Sequence, residues 1–152
     1  MRILILVYSY TNHTYSVANR LKERLLKDDH LVVVKRIKAL DDEPLDNNII
    51  IEQIHDTSNY DIIIYAAMVR SFTLAPVMVK YLKQMKGLNG QKVYGFVTEH
   101  FPYPWMGDNQ AINKMKQLLL IKGTNIIDTD VINWSNKNRD NQIDNIFITS
   151  LE

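Results

Sequence analysis

The sequence has 152 residues, 46% of them hydrophobic and 23% charged, and its 18 basic and 17 acidic side chains give a formal net charge of +1. That length suits a single domain spanning 1–152 that buries roughly 70% of its unfolded surface. The balance excludes a disordered chain and argues against a nucleic-acid binder. The absence of Cys excludes a disulfide scaffold, a thiolate metal site and a cysteine nucleophile, and fits a reducing compartment. No apolar run approaches the ~20 residues of a membrane span. The first run also lacks the charged flank and cleavage motif of a secretory signal. The expectation is a soluble cytoplasmic protein with no membrane association and no metal.

The chain opens on Ile3-Leu4-Ile5-Leu6-Val7, a short branched run that reads as a strand buried on both faces, as in a parallel sheet. Tyr8 to Thr14 is polar and rich in hydroxyls. Val17, Ala18, Leu21 and Leu25 then mark one face of an amphipathic helix. Leu31 to Ile37 reads as strand two, Asp41-Asp42-Glu43-Pro44 as an acidic turn, and Ile49 to Ile54 as a short helix. Tyr60 to Ala67 is strand three. Val77, Met78, Tyr81, Leu82 and Met85 give the next helix, with Thr73 its expected cap and Pro76 in its first turn. Gln91 to Thr98 is strand four. Ile112, Met115, Leu118 and Leu119 give a helix closed by Lys122-Gly123, with Asp108 as its cap. Asn125 to Trp134 is strand five, and Asp140 to Leu151 a last short helix.

Strands alternating with helices imply an α/β doubly wound five-stranded parallel sheet between helical layers, because parallel strands need crossover connections. Order 2-1-3-4-5 places a ligand crevice at the carboxyl ends of strands one and three. Three loops reach it: Ser9 to Thr14, Met68 to Thr73, and Thr98 to Gly107. In the first, Ser9, Thr11 and Thr14 bring hydroxyl donors to a helix N-terminus, whose free N–H groups and partial positive charge suit a phosphate monoester. The same residues would also suit an ordinary βα turn with a hydroxyl cap. The third loop carries Phe101, Tyr103 and Trp105, stiffened by Pro102 and Pro104. Phe72 adds a ring from the second. Such faces suit a planar ligand shielded from water, or cover for the sheet end, or a subunit contact. His30 and His55 read as surface residues. His13 offers a charge-assisted contact when protonated.

Ser9-Tyr10-Thr11-Asn12-His13-Thr14 after a buried strand resembles the FMN-phosphate loop of the flavodoxin family, whose usual form is Ser/Thr-x-Thr-Gly-x-Thr. Asn12 stands where that family commonly has Gly, and Asn is the non-Gly residue that best tolerates positive φ. The resemblance covers nearly the whole chain, and with no long insertion in strand five it is to the short-chain form. It implies a flavodoxin-like three-layer sandwich that binds FMN and passes electrons. Ser9, Tyr10, Thr11, Asn12, His13 and Thr14 would hold the phosphate. Met68, Val69, Arg70, Ser71 and Phe72, with Thr98, Glu99, His100, Phe101 and Tyr103, would flank the ring, and no side chain need act as acid or base.

The resemblance implies as partner a redox protein or a small-molecule electron donor or acceptor, and a monomer or homodimer. The near-neutral charge sets the chain apart from the strongly acidic surface usual in that family, and so from its usual basic partner. Two alternatives share the fold: an NAD(P)H-dependent FMN or quinone oxidoreductase, and a cofactor-free interaction domain. A phosphoacceptor receiver is excluded, since its acidic positions hold Tyr8-Ser9 and Ala67-Met68 here.

Overall fold

The computed structural model describes residues 1–40, 48–70, 73–99 and 108–133. In chain order the elements are β1 (Arg2–Val7), α1 (His13–Lys27), β2 (Leu31–Arg36), β3 (Ile62–Arg70), β4 (Thr73–Leu74), α2 (Pro76–Gln84), β5 (Lys92–Glu99), α3 (Asp108–Ile121) and β6 (Asn125–Asn133). Five strands pair in parallel in the order β2-β1-β3-β5-β6, the expected 2-1-3-4-5 arrangement. The two-residue β4 is an addition, antiparallel to the end of β3.

Burial explains why the first strand is central. Ile3, Leu4, Ile5, Leu6 and Val7 are all fully buried. Their alternation sends Leu4 and Leu6 into one core and Ile3, Ile5 and Val7 into the other, as the period of two requires. Val17, Ala18, Leu21 and Leu25 of α1 close the second core. Val77, Met78, Tyr81 and Leu82 of α2, with Ile112, Met115 and Leu119 of α3, close the first. The result is an α/β/α sandwich.

Several local expectations are corrected. The stretch Ile49 to Ile54 is not a helix: Ile51 bridges Ala39 in antiparallel fashion, Leu40 N donates to Ile50 O at 2.9 Å, and Glu52 N donates to Lys38 O at 2.8 Å. Three successive β-branched residues disfavour a helix, and the preceding chain pairs instead with Ile50 O and Glu52 N. Thr73 lies in β4; Ala75 is the N-cap position of α2 and Pro76 its first residue. His55 is half-buried rather than a surface residue: its N–H donates to the Tyr81 hydroxyl at 3.0 Å, and its Nε2–H reaches Arg36 O at 3.2 Å. The acidic turn at 41–44, Trp134 and the last expected helix fall outside the described residues.

Gly95 sits in the middle of β5, where a Cβ would lie 2.7 Å from Met115 Sδ. Its missing side chain lets α3 pack onto the strand. Gly95→Ala is therefore expected to destabilise the fold by about 1–3 kcal/mol through overpacking. Pairing it with Met115→Val should recover part of that loss, as denaturant midpoints of the two variants would show.

Three buried tyrosines couple stability to alkaline pH. Burial raises Tyr94 above the ordinary 10.0, aided by its hydrogen bond to Asp130 and by the charges of Asp130 and Asp128, against an opposing effect of Arg24. Burial raises Tyr65 and Tyr81 as well. The fold keeps protons that the unfolded chain releases above pH 10, so the contribution of these neutral phenols is intact below pH 10 and lost above it. Urea titrations should show stability falling beyond pH 10, and Tyr94→Phe should reduce the slope by about 1.4 kcal/mol per pH unit.

Candidate anion site at the end of strand β1

The chain leaves β1 at the crevice end of the sheet, where Tyr8 N still donates to Ala66 O at 2.9 Å. Ser9 to Asn12 then turn into α1. Ser9 is 7% exposed, while Tyr10, Thr11 and Asn12 are exposed. Asn12 makes the turn possible: it stands at φ +67° and ψ −2°, the left-handed conformation for which Gly is the usual residue, and its carbonyl accepts Ser16 N at 2.9 Å. As the N-cap residue it makes no side-chain cap bond to the helix. The first N–H groups of α1 have no acceptor within the helix, and they point at the loop with the positive end of the helix dipole.

Three buried hydroxyls stand beside this turn in two different states. Thr14 Oγ1 lies 2.7 Å from Thr98 Oγ1, both residues being buried, so the pair ties the first turn of α1 to the end of β5. In such a pair one hydroxyl donates to the other and the second keeps its own proton to donate onward. Ser9 Oγ is buried with no hydrogen-bond partner among the described residues. A buried hydroxyl left so costs about 1–3 kcal/mol, and it is a donor waiting for an acceptor.

Arg36, which the sequence reading passed over, binds the loop from outside. One nitrogen, Nη2, donates to Ser9 O and to Asn12 Oδ1, each at 3.1 Å. Its guanidinium also lies over the Tyr15 ring, 4.4 Å from the centroid. Arg36 closes β2 and pairs with Val7 in register, so strand pairing alone carries it to the loop. A pocket of about 270 Å³ opens here, lined by Tyr8, Ser9, Tyr10, Arg36, Ile37, Lys38 and Ala39. A larger one, about 360 Å³ and lined by Tyr65, Tyr81 and Met85 among others, involves none of the three nominated loops.

The other nominated residues divide. Thr11 Oγ1 and His13 Nδ1 lie 3.4 Å apart. Met68, Val69 and Arg70 belong to β3 rather than to a loop, because Val69 pairs with Leu74 and Arg70 with Thr73. Val69 is buried in the core and Met68 packs on it half-buried. Arg70 turns instead to the first loop, its guanidinium 4.8 Å from the centroid of the Tyr10 ring. Glu99 ends β5, 3% exposed. Ser71, Phe72, His100, Phe101 and Tyr103 lie outside the described residues, as do Pro102, Pro104 and Trp105. No cluster of three metal-ligating side chains occurs among the described residues, and no described helix is long and apolar enough to cross a membrane.

This donor set fits a phosphate monoester: a buried hydroxyl unpartnered among the described residues, the N-terminal end of α1 and a guanidinium meet at one turn. No protein-family model and no curated protein matches the sequence. Solved structures do match the fold. A Lactobacillus acidophilus NCFM flavoprotein in complex with FMN aligns at TM-score 0.64 and 20% identity, over 92% of this chain and 97% of its own. Oxidised flavodoxin 2 of Bacillus cereus aligns at 0.68 and 20%, over 95% and 94%. The flavodoxin of Streptococcus pneumonia TIGR4 aligns at 0.70 and 16%, over 95% and 93%. The fold is that of the flavodoxins.

Ser9→Ala removes the unpartnered hydroxyl without touching the Arg36 bond, which uses the backbone carbonyl. It is expected to stabilise the ligand-free protein by about 1 kcal/mol or more. Thermal and denaturant unfolding of the two ligand-free proteins check this; equal or lower stability in the variant would mean the hydroxyl has a partner in solution.

Proposed function

We propose that the protein binds FMN at this crevice and carries electrons between redox partners in the cytoplasm. The observation that carries the reading is the turn 9–12, with its buried, unpartnered Ser9 hydroxyl at the start of α1. FMN supplies reversible reduction at its isoalloxazine ring; the chain's own residues bind, orient and shield it.

Ser9 Oγ, Thr11 Oγ1 and the first N–H groups of α1 are the phosphate donors. Thr14, engaged with Thr98, supports the helix start and donates outward through whichever of the two hydroxyls keeps a free proton. Arg36 lends positive charge from the outer side of the loop. Tyr10, with the Arg70 guanidinium over its ring, ties the first loop to the end of β3. The flavodoxin resemblance assigns the flanks of the ring to residues 71–72 and 100–103, which lie outside the described residues. The fold similarity supports this assignment, because the neighbours include a flavoprotein with FMN. The partner is a redox protein or a small electron donor or acceptor. With a net charge of only +1, recognition of that partner rests on shape and apolar contact more than on long-range steering.

Ser9→Ala combined with Thr11→Ala should weaken FMN by tenfold or more, since each hydrogen bond to a charged group contributes about 1.5–3 kcal/mol. Riboflavin, which lacks the phosphate, should bind the variant and the parent alike. Equal losses for both ligands, or no flavin binding by the parent, would refute the phosphate assignment. In the same preparation NADH or NADPH alone should reduce the flavin slowly, with a reductase needed for rapid reduction. Saturating, rapid bleaching by either nucleotide in stopped flow would identify an oxidoreductase instead of a carrier.

A further inference from the structure

An asparagine at a helix N-cap ordinarily turns its side-chain oxygen onto the N–H of the second or third helical residue. That habit conflicts with an anion site, because the cap consumes the donors the anion needs. Glycine, the usual residue at this position of the resembled loop, has no side chain and cannot cap. Asn12 can, but only once its backbone takes the extended conformation that a side-chain cap requires; here the backbone stands at φ +67° and Oδ1 accepts from Arg36 Nη2 at 3.1 Å instead.

Arg36 is well built to hold it there. The same nitrogen grips Ser9 O at 3.1 Å, so both ends of the turn are fixed to one planar group. That group is stacked on Tyr15, a residue of α1's first turn. Behind it, β2 pairs Arg36 with Val7, and the Arg36 carbonyl takes the His55 Nε2–H at 3.2 Å. The Ser9 carbonyl and the Tyr15 ring therefore oppose movement of the guanidinium with Asn12 if the turn relaxes toward an ordinary cap.

We propose that Arg36 is a positioning residue of the anion site, which keeps Asn12 from capping α1 and so leaves the first helical N–H groups for the ligand's phosphate. Resting on the FMN reading, the inference adds that Asn12 and Arg36 together do the work of the loop glycine. The two residues should consequently be epistatic.

The test compares Arg36→Met in the Asn12 parent and in an Asn12→Gly background, with Arg36→Gln alongside so that one folded substitution suffices. In ligand-free protein, hydrogen exchange at the Thr14 and Tyr15 amides reports capping directly. Arg36→Met should slow that exchange when Asn12 is present and leave it unchanged in the Asn12→Gly background. In flavin titrations the same substitution should weaken FMN about tenfold or more in the Asn12 parent, clearly less in the Asn12→Gly background, and leave riboflavin alone. Equal FMN losses in both backgrounds would reduce Arg36 to a charge and overturn the proposal. Unchanged amide exchange in the Asn12 parent would overturn it as well. Failure of the parent to bind any flavin would instead refute the function reading, and the exchange measurement would still decide the role of Arg36.

Discussion

Beyond Arg2, strand β1 has no face toward water. Five consecutive side chains, Ile3 to Val7, are fully buried, alternately in the two cores, and each strand beside it is registered on it residue by residue. Fully burying one such aliphatic side chain contributes about 1.5–3 kcal/mol, so removing β1 from its place would uncover both cores at once. Its end is consequently among the most firmly located points of the molecule. Whatever leaves β1 inherits that placement, and what leaves it is the polar turn 8–12. The turn is short and bounded by α1, whose own buried face is locked to the same core. A loop tethered so closely at both ends has few conformations open to it.

Within that turn the chain holds arrangements that folding alone does not favour. A buried serine hydroxyl makes no hydrogen bond with the described residues, a non-glycine residue stands in the left-handed region, and a cap-forming side chain makes no cap bond to its helix. Each is unfavourable by amounts on the order of 1 kcal/mol, and all three fall within four residues. The rest of the described structure concentrates no comparable set: the other non-Gly residues at positive φ, Asp29 and Asn89, sit in turns next to β2 and Gly90. Local rules broken together at one place, against a background that obeys them, are the expected mark of a site.

Much of this is legible in the sequence because it is encoded locally. A branched run of five, a hydroxyl-rich interval and a helical stripe at 17, 18, 21 and 25 are sufficient for β1, the loop and α1, and alternation of such units leads to a doubly wound sheet. The tolerance of Asn for positive φ is likewise a property of one residue. What escapes depends on contacts between distant segments. Arg36 looks like the polar end of a strand until β2 is laid beside β1, which brings residue 36 to residues 9 and 12. His55 looks exposed until Tyr81 and the Arg36 carbonyl are placed around it. Ile49 to Ile54 reads as a helix from its place in the alternation, although its β-branched run already favours the extended pairing with 38–40. Met68 to Arg70 reads as a loop because a two-residue strand such as β4 leaves almost no periodic signal.

An asparagine clamped as proposed, where the resembled loop carries glycine, would also change when the loop is ordered. A glycine turn keeps its backbone freedom until a ligand arrives, and part of the binding free energy is then spent on fixing it. Asn12 has fewer backbone states to lose, and Arg36 has already selected one of them during folding. The clamp draws on strand pairing between β1 and β2, which the two-sided core maintains whether or not a ligand is present. Under the proposed reading, affinity at the turn depends on a residue that need not touch the ligand and on a sheet register set elsewhere in the chain. A substitution that loosened the β1–β2 pairing near Val7 and Arg36 would, on this account, weaken anion binding before it unfolded the protein.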